Sequence, residues 1–246
     1  YYALIHNAFA PYTNGFITYS DGMNDDVNKV VWSLRGWDPE MPVREMMLQY
    51  ASLFFAPKHA ERIADGILAL ERNWEGPLPE NGGVAAALAL WEALDREIPE
   101  MRGNWRWQCL MLRACYDAYT RDRLIYERSL EALANAELSA ERHPSPGAAM
   151  DTALSILKRA ETQPCRPGLR RHIEELFAAL FESIGLQSSV EKHQASGYER
   201  GCSLDFVDYP LNNRWWLEDE FGKVRVMDTP EAQWRRLQEL REWENP

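Results

Sequence analysis

One run in this chain, Gly15-Phe16-Ile17-Thr18-Tyr19-Ser20-Asp21-Gly22, reads as a β-strand, while almost everything after it carries helical spacing. A lone strand has no partner for its backbone N–H and C=O groups. Buried and unpaired, each such group costs on the order of 1–3 kcal/mol, and even a two-stranded hairpin is marginal in water. The run is therefore expected to be an orphaned strand whose sheet lies in other sequence. On that expectation the chain is the C-terminal part of a larger protein. Residues 1–22 would be the end of a catalytic barrel, and residues 23–246 a helical C-terminal domain.

The helical part can be read stripe by stripe. Acidic Asp25 and Asp26 suit a helix start, with Asn24 or Asp25 as cap. That helix carries Val27, Val30, Val31 and Leu34 and stops at Gly36. Pro42 opens the next, where Val43, Met46, Met47, Tyr50, Ala51, Phe54 and Phe55 follow the i, i+3, i+4, i+7 stripe up to Pro57. A third puts Ile63, Ile67, Leu70 and Trp74 on one face, and a fourth carries Val84, Leu88, Trp91 and Leu94. Asn104 to Arg142 holds neither Pro nor Gly. As one rod it would span roughly 55 Å, so a break near Thr120-Arg121-Asp122 is expected. Further helices follow around Ala149–Ala160, from Pro167 to Gly185 with an extension toward His193, over Leu211–Val226 and over Pro230–Trp243. Asp228-Thr229-Pro230-Glu231 is a clear start signal for the last. The fold class is thus mainly α, a multi-helix array with a short N-terminal β segment left from a (β/α) barrel.

Composition narrows the partners. The chain has 246 residues, 46% of them hydrophobic, and a net charge of −11. A nucleic-acid backbone needs a basic face that releases counterions, which this balance opposes. An anionic membrane surface is disfavoured for the same reason. No apolar run approaches the roughly 18–20 residues of a membrane span. Cys109, Cys115, Cys165 and Cys202 form no CxxC and no zinc-finger spacing, and read as apolar fillers or partly exposed thiols. A Cys165–Cys202 disulfide stays compatible with the spacing.

Two segments concentrate chemistry. Asn24-Asp25-Asp26-Val27-Asn28-Lys29 is acidic, but Asp25 and Asp26 diverge by about 100° on a helix and no second acidic motif faces them. Capping and turn chemistry explain them better than a metal, and no metal or cofactor is expected. If Phe16–Tyr19 is a barrel strand, Tyr19, Ser20 and Asp21 sit in the strand-to-helix loop, where barrel enzymes contact substrate. Asp205-Phe206-Val207-Asp208-Tyr209-Pro210-Leu211-Asn212-Asn213-Arg214-Trp215-Trp216 is the other segment. Flat aromatic faces beside amides, an acid and an arginine are the parts of a carbohydrate site. The bland alternative is a loop stapled to the helical core by Asp208–Arg214 or by Asn212 capping. No HExxH, no GxSxG and no glycine-rich phosphate loop occurs.

Residues 15–57 carry a wider pattern: a strand ending in Tyr19-Ser20-Asp21-Gly22, a helix with Asn24-Asp25-Asp26-Val27-Asn28, Trp37-Asp38-Pro39, then Glu45, Tyr50, Phe54-Phe55 and Pro57. It resembles the junction between the catalytic barrel and the C-terminal helical domain of alpha-glucuronidase-like glycoside hydrolases and their uncharacterised bacterial relatives. The resemblance implies that the first run is the last barrel strand. It implies a helical domain that packs on the barrel and contributes to dimer contacts. The family's catalytic acids lie on earlier strands, so none is assigned here, and the chain is expected to be inactive alone. Candidate substrate contacts are Tyr19, Asp21, Asp208, Asn212, Asn213, Arg214, Trp215 and Trp216. Candidate partners are the chain's own upstream barrel, a carbohydrate and a second copy; cellular location is left open. Two rival readings are a standalone helical interaction domain using Trp105, Trp107, Trp215 and Trp216, and a helical metal-dependent enzyme using Asp25, Asp26, Asp205 and Asp208.

Overall fold

The computed structural model describes residues 2–17, 25–199 and 201–243. It is mainly helical, with no strand among the described residues. Gly15, Phe16 and Ile17 lie outside any regular element, and the rest of the strand-like run falls outside the described residues. Phe16 is not loose: its ring meets His6 and Trp32 at 5.2 and 5.3 Å between centroids.

The helices divide between two compact units interleaved in sequence. The first comprises residues 1–119 and 168–207, the second residues 120–167 and 208–246. Unit one contains α1 (Tyr2–Phe9), α2 (Asp25–Trp37), α3 (Val43–Phe54), α4 (Ala60–Arg72) and α5 (Gly83–Glu97). The first part of α6 (Trp105–Glu137) also belongs to it, as do nearly all of α9 (Pro167–Ile184) and the short α10 (Ser203–Phe206). Unit two takes the remainder of α6 with α7 (Pro146–Leu157), the one-turn α8 (Arg159–Thr162), α11 (Arg214–Arg225) and α12 (Pro230–Arg241).

In unit one the expected stripes are the buried faces. Met46, Met47, Tyr50, Ile63, Val84, Trp91, Leu94, Leu112, Ile173 and Phe177 are all sealed from solvent. Helix α4 meets α5 at Gly66, where a Cβ would stand 3.2 Å from the Trp91 ring. The Trp91 indole N–H donates to the Gly66 carbonyl at 3.2 Å, so the close approach also satisfies a buried donor. Unit two buries Leu130, Ala134 and Leu138 of α6 and its following turn against Ala149, Ala153 and Leu157 of α7, Leu217, Phe221 and Val224 of α11, and Leu237 and Leu240 of α12. Helices α7 and α12 begin as their sequences direct. Ser145 and Thr229 accept from the N–H groups of Ala148 and Ala232 at 3.3 and 3.2 Å, each with Pro in the first turn.

Four expectations are corrected. Helix α1 precedes the strand-like run, where no helix was expected. Helix α6 continues unbroken through Thr120–Asp122, its 33 residues spanning about 50 Å, although the division between units falls at that point. Helix α9 stops at Ile184, and Gly185 at φ +69° begins a non-helical segment rather than a bend toward His193. Trp74 is not on the buried face of α4: it lies beyond the helix end and is 72% exposed. No disulfide joins any of the four cysteines, all of which are among the described residues.

Candidate functional site

Unit one contains a concave pocket of about 660 Å³. Its walls are aliphatic: Val27 and Val31 of α2, Val43 and Met47 of α3, Ile67, Leu68 and Leu70 of α4, Leu110 of α6 and Ala3 of α1. Polar groups enter only through Asn28, Glu71 and Arg113, with Trp74 completing the lining. A pocket of roughly 300–1,000 Å³ with an apolar lining and a few convergent polar groups is the ordinary form of a small-molecule site.

The polar end of this pocket is tied together by side-chain contacts. The Arg113 guanidinium lies 4.2 Å from the centre of the Trp74 ring. It also clasps Asp117, Nε to Oδ2 at 2.9 Å and Nη2 to Oδ1 at 2.5 Å. The Asn73 amide donates to the same carboxylate at 2.9 Å in a buried setting. Burial pushes the Asp117 carboxyl up from its ordinary value, against the opposing pull of Arg113 and Asn73. The turn carrying Trp74 is set by Gly76, whose φ of +69° suits glycine. The Asn81 side chain holds it by donating to the carbonyls of Arg72 and Glu75 at 2.9 and 3.2 Å.

Beside this pocket the acidic start of α2 is used structurally. Asp26 accepts from Tyr50 Oη at 2.6 Å and from Arg106 Nε and Nη2 at 2.7 and 3.1 Å. The Arg106 guanidinium also stacks between Phe54 and Trp105, 4.0 and 4.2 Å from their ring centres. Burial and the Asp26 carboxylate raise the Tyr50 phenol, and burial pushes the Cys109 thiol up to about 11. Both groups are therefore neutral and poor nucleophiles near pH 7.

In unit two the part of the second sequence segment from Asp208 onward is brought together as one loop-to-helix junction on α6, whereas Asp205, Phe206 and Val207 belong to unit one. Glu127, only 2% exposed, takes Arg123 Nη2 on one oxygen at 2.6 Å. Its other oxygen accepts the Leu211 N–H and the Asn212 amide, both at 2.9 Å. Arg123 also donates to the carbonyls of Asp208 and Tyr209 at 3.4 and 2.9 Å. Glu131 accepts the Asn213 N–H at 2.7 Å, and burial raises its carboxyl. Asn212 Oδ1 accepts the Arg214 N–H at 3.1 Å, and Arg214 pairs with Glu161 at 2.5 Å. Asp208 itself is exposed. Trp215 is half exposed and sits edge-on to Tyr209 at 5.4 Å. Trp216 packs on the unit-two core and lies 5.8 Å from Trp243. The residues that organise this junction, Arg123, Glu127, Glu131 and Glu161, escaped the sequence reading. The i, i+4, i+8 spacing of the first three on one helix face was the available signal.

Tyr19 and Asp21 lie outside the described residues. Trp107, named in the interaction-domain reading, is 1% exposed and cannot serve as a surface contact. Of the acids in the metal reading, Asp26 is held by Tyr50 and Arg106, and Asp205 accepts the Val190 N–H at 2.9 Å. Among the described residues no three His, Cys, Asp or Glu side chains are grouped to hold a metal ion, and no helix is long and apolar enough to cross a membrane. A Ser188–His193 pair, Oγ to Nδ1 at 2.7 Å, has the look of a catalytic dyad, but both residues are buried. Comparison with protein-family models, with curated proteins and with solved structures finds no match for this chain.

Proposed function

We propose that this chain is the helical support and interaction region of a carbohydrate-active enzyme, a glycoside hydrolase of the alpha-glucuronidase-like kind. In this reading Phe16–Tyr19 completes the barrel that precedes the helices, and the catalytic carboxylates reside in that barrel. The observation that supports it most is where apolar side chains stay in water. Leu4, Phe9, Tyr12, Ile17 and Trp37 are 76%, 61%, 85%, 99% and 88% exposed, Ile17 within the strand-like run and the others in the stretches before and after it. Large apolar side chains left in water along one stretch favour a protein partner. The Asp26 clasp adds support, because it fixes the start of α2 directly after that run. Trp215 and Tyr209 offer flat faces of the kind a sugar ring stacks on.

The test compares this chain with a protein that includes whatever coding sequence precedes Tyr1 in its reading frame. Both are assayed for hydrolysis of aryl glycosides, aryl glucuronide among them, and for hydrogen exchange over residues 4–37. The reading expects activity only in the longer protein and strong protection of Ile17 and Trp37 there. Hydrolysis by this chain alone, or an upstream frame without alternating strand and helix patterns, would overturn it.

A further inference from the structure

We propose that the unit-one pocket binds a small amphiphile, with an apolar body among the aliphatic walls and a single hydrogen-bond-accepting head group at Arg113. The proposal is independent of the glycoside-hydrolase reading, since it uses neither the barrel nor the residue 208–216 junction. Its size suits the ligand class: about 660 Å³ accommodates a body of drug-like dimensions. The walls from Val31, Met47, Leu68 and Leu110 offer no polar group, so the body must be hydrocarbon or aryl.

The head-group assignment follows from how Arg113 is spent. Asp117 takes Nε and Nη2. The remaining terminal nitrogen, Nη1, keeps its N–H donors, and Arg113 is one of the three polar residues that line the pocket. The cation is already matched by Asp117, so a ligand gains a directed donor rather than an unopposed charge. The ring of Trp74 is largely exposed and yet held in place by Arg113 stacking and the Asn81-braced turn. An aromatic wall fixed before binding loses little entropy when a ligand covers it.

The experiment uses the whole chain and the fluorescent probe 1-anilinonaphthalene-8-sulfonate, which joins an aryl body to an acceptor head. A cooperative melt and native near-ultraviolet dichroism, recorded on every sample, exclude binding to a loosened core. The parent chain should bind one probe saturably. Decanoate should displace it, whereas decyltrimethylammonium, which has no acceptor, should not. Leu68→Trp, at a half-buried wall position, should weaken probe binding about tenfold or more, and Trp74→Ala by roughly threefold to tenfold. Absence of saturable binding to the folded parent overturns the site. Parent-like affinity in folded Leu68→Trp and Trp74→Ala chains does the same. Equal displacement by decanoate and decyltrimethylammonium overturns the role given to Arg113.

Discussion

Asp26 and Arg106, eighty positions apart, meet through two hydrogen bonds of 2.7 and 3.1 Å that tie the first turn of α2 to the first turn of α6. Tyr50 of α3 adds a third bond to the same carboxylate. Three helices thus share one acid, three-quarters of which is withdrawn from solvent. Asp26→Ala should lower the stability of unit one by about 2 kcal/mol, the usual loss when bonds to a charged group are removed. Arg106→Ala should cost a similar amount. The double variant should lose clearly less than the sum, because both changes delete one interaction. Urea unfolding of the four chains measures this, and strict additivity would remove the clasp from the account.

Gly66 and Trp91 allow α4 and α5 to approach closely. Trp91→Ala should cost about 3–5 kcal/mol as a large buried ring is replaced by a void. Gly66→Val inserts atoms where none fit and should cost about 1–3 kcal/mol. Thermal melts of the two variants check the pair. A Gly66→Val chain as stable as the parent would show that the interface repacks freely.

Glu127 is the acid on which the residue 208–213 loop hangs. Glu127→Ala leaves Arg123 as a buried cation without its counter-charge and two donors without their acceptor. About 3–5 kcal/mol should be lost from unit two. Glu127→Gln keeps an acceptor for the Leu211 N–H and should recover part of the loss. Hydrogen exchange at Leu211 and Asn213 reads the consequence directly: both amides should exchange faster in Glu127→Ala, and unchanged protection would refute the assignment.

His193 gives the fold an acid-side weakness. Burial among Ser188 and Phe181 holds its imidazole below the ordinary histidine range, with Lys192 acting in the same direction. The unfolded chain therefore binds this proton more readily than the folded one. The histidine's contribution is present in full above the unfolded value of about 6.5 and is lost as pH falls through it toward the lower folded value. Melting temperature recorded from about pH 8 to about pH 5 should fall more steeply for the parent than for His193→Asn. Parallel curves would assign the acid loss to other groups.

Much of the helical array was legible in the residues themselves. The stripe Met46, Met47, Tyr50 and Ala51 and the stripe Val84, Leu88, Trp91 and Leu94 are buried as their spacing requires, because a 3.6-residue period leaves one face to cover. Thr229-Pro230-Glu231 starts a helix where local capping chemistry says it should. What periodicity does not carry is which face meets which. Asp26 reads locally as a cap and becomes a clasp only because Arg106 arrives from eighty positions away. Trp74 reads as core from its place in the α4 stripe, yet the helix ends before it and Arg113 claims its ring at the surface. The division of α6 between two units follows from which later helices return to it, a matter of long-range packing that no local window records. The pocket belongs to the same class: its walls come from five helices, each behaving as its own sequence dictates, and only their assembly leaves the space between them.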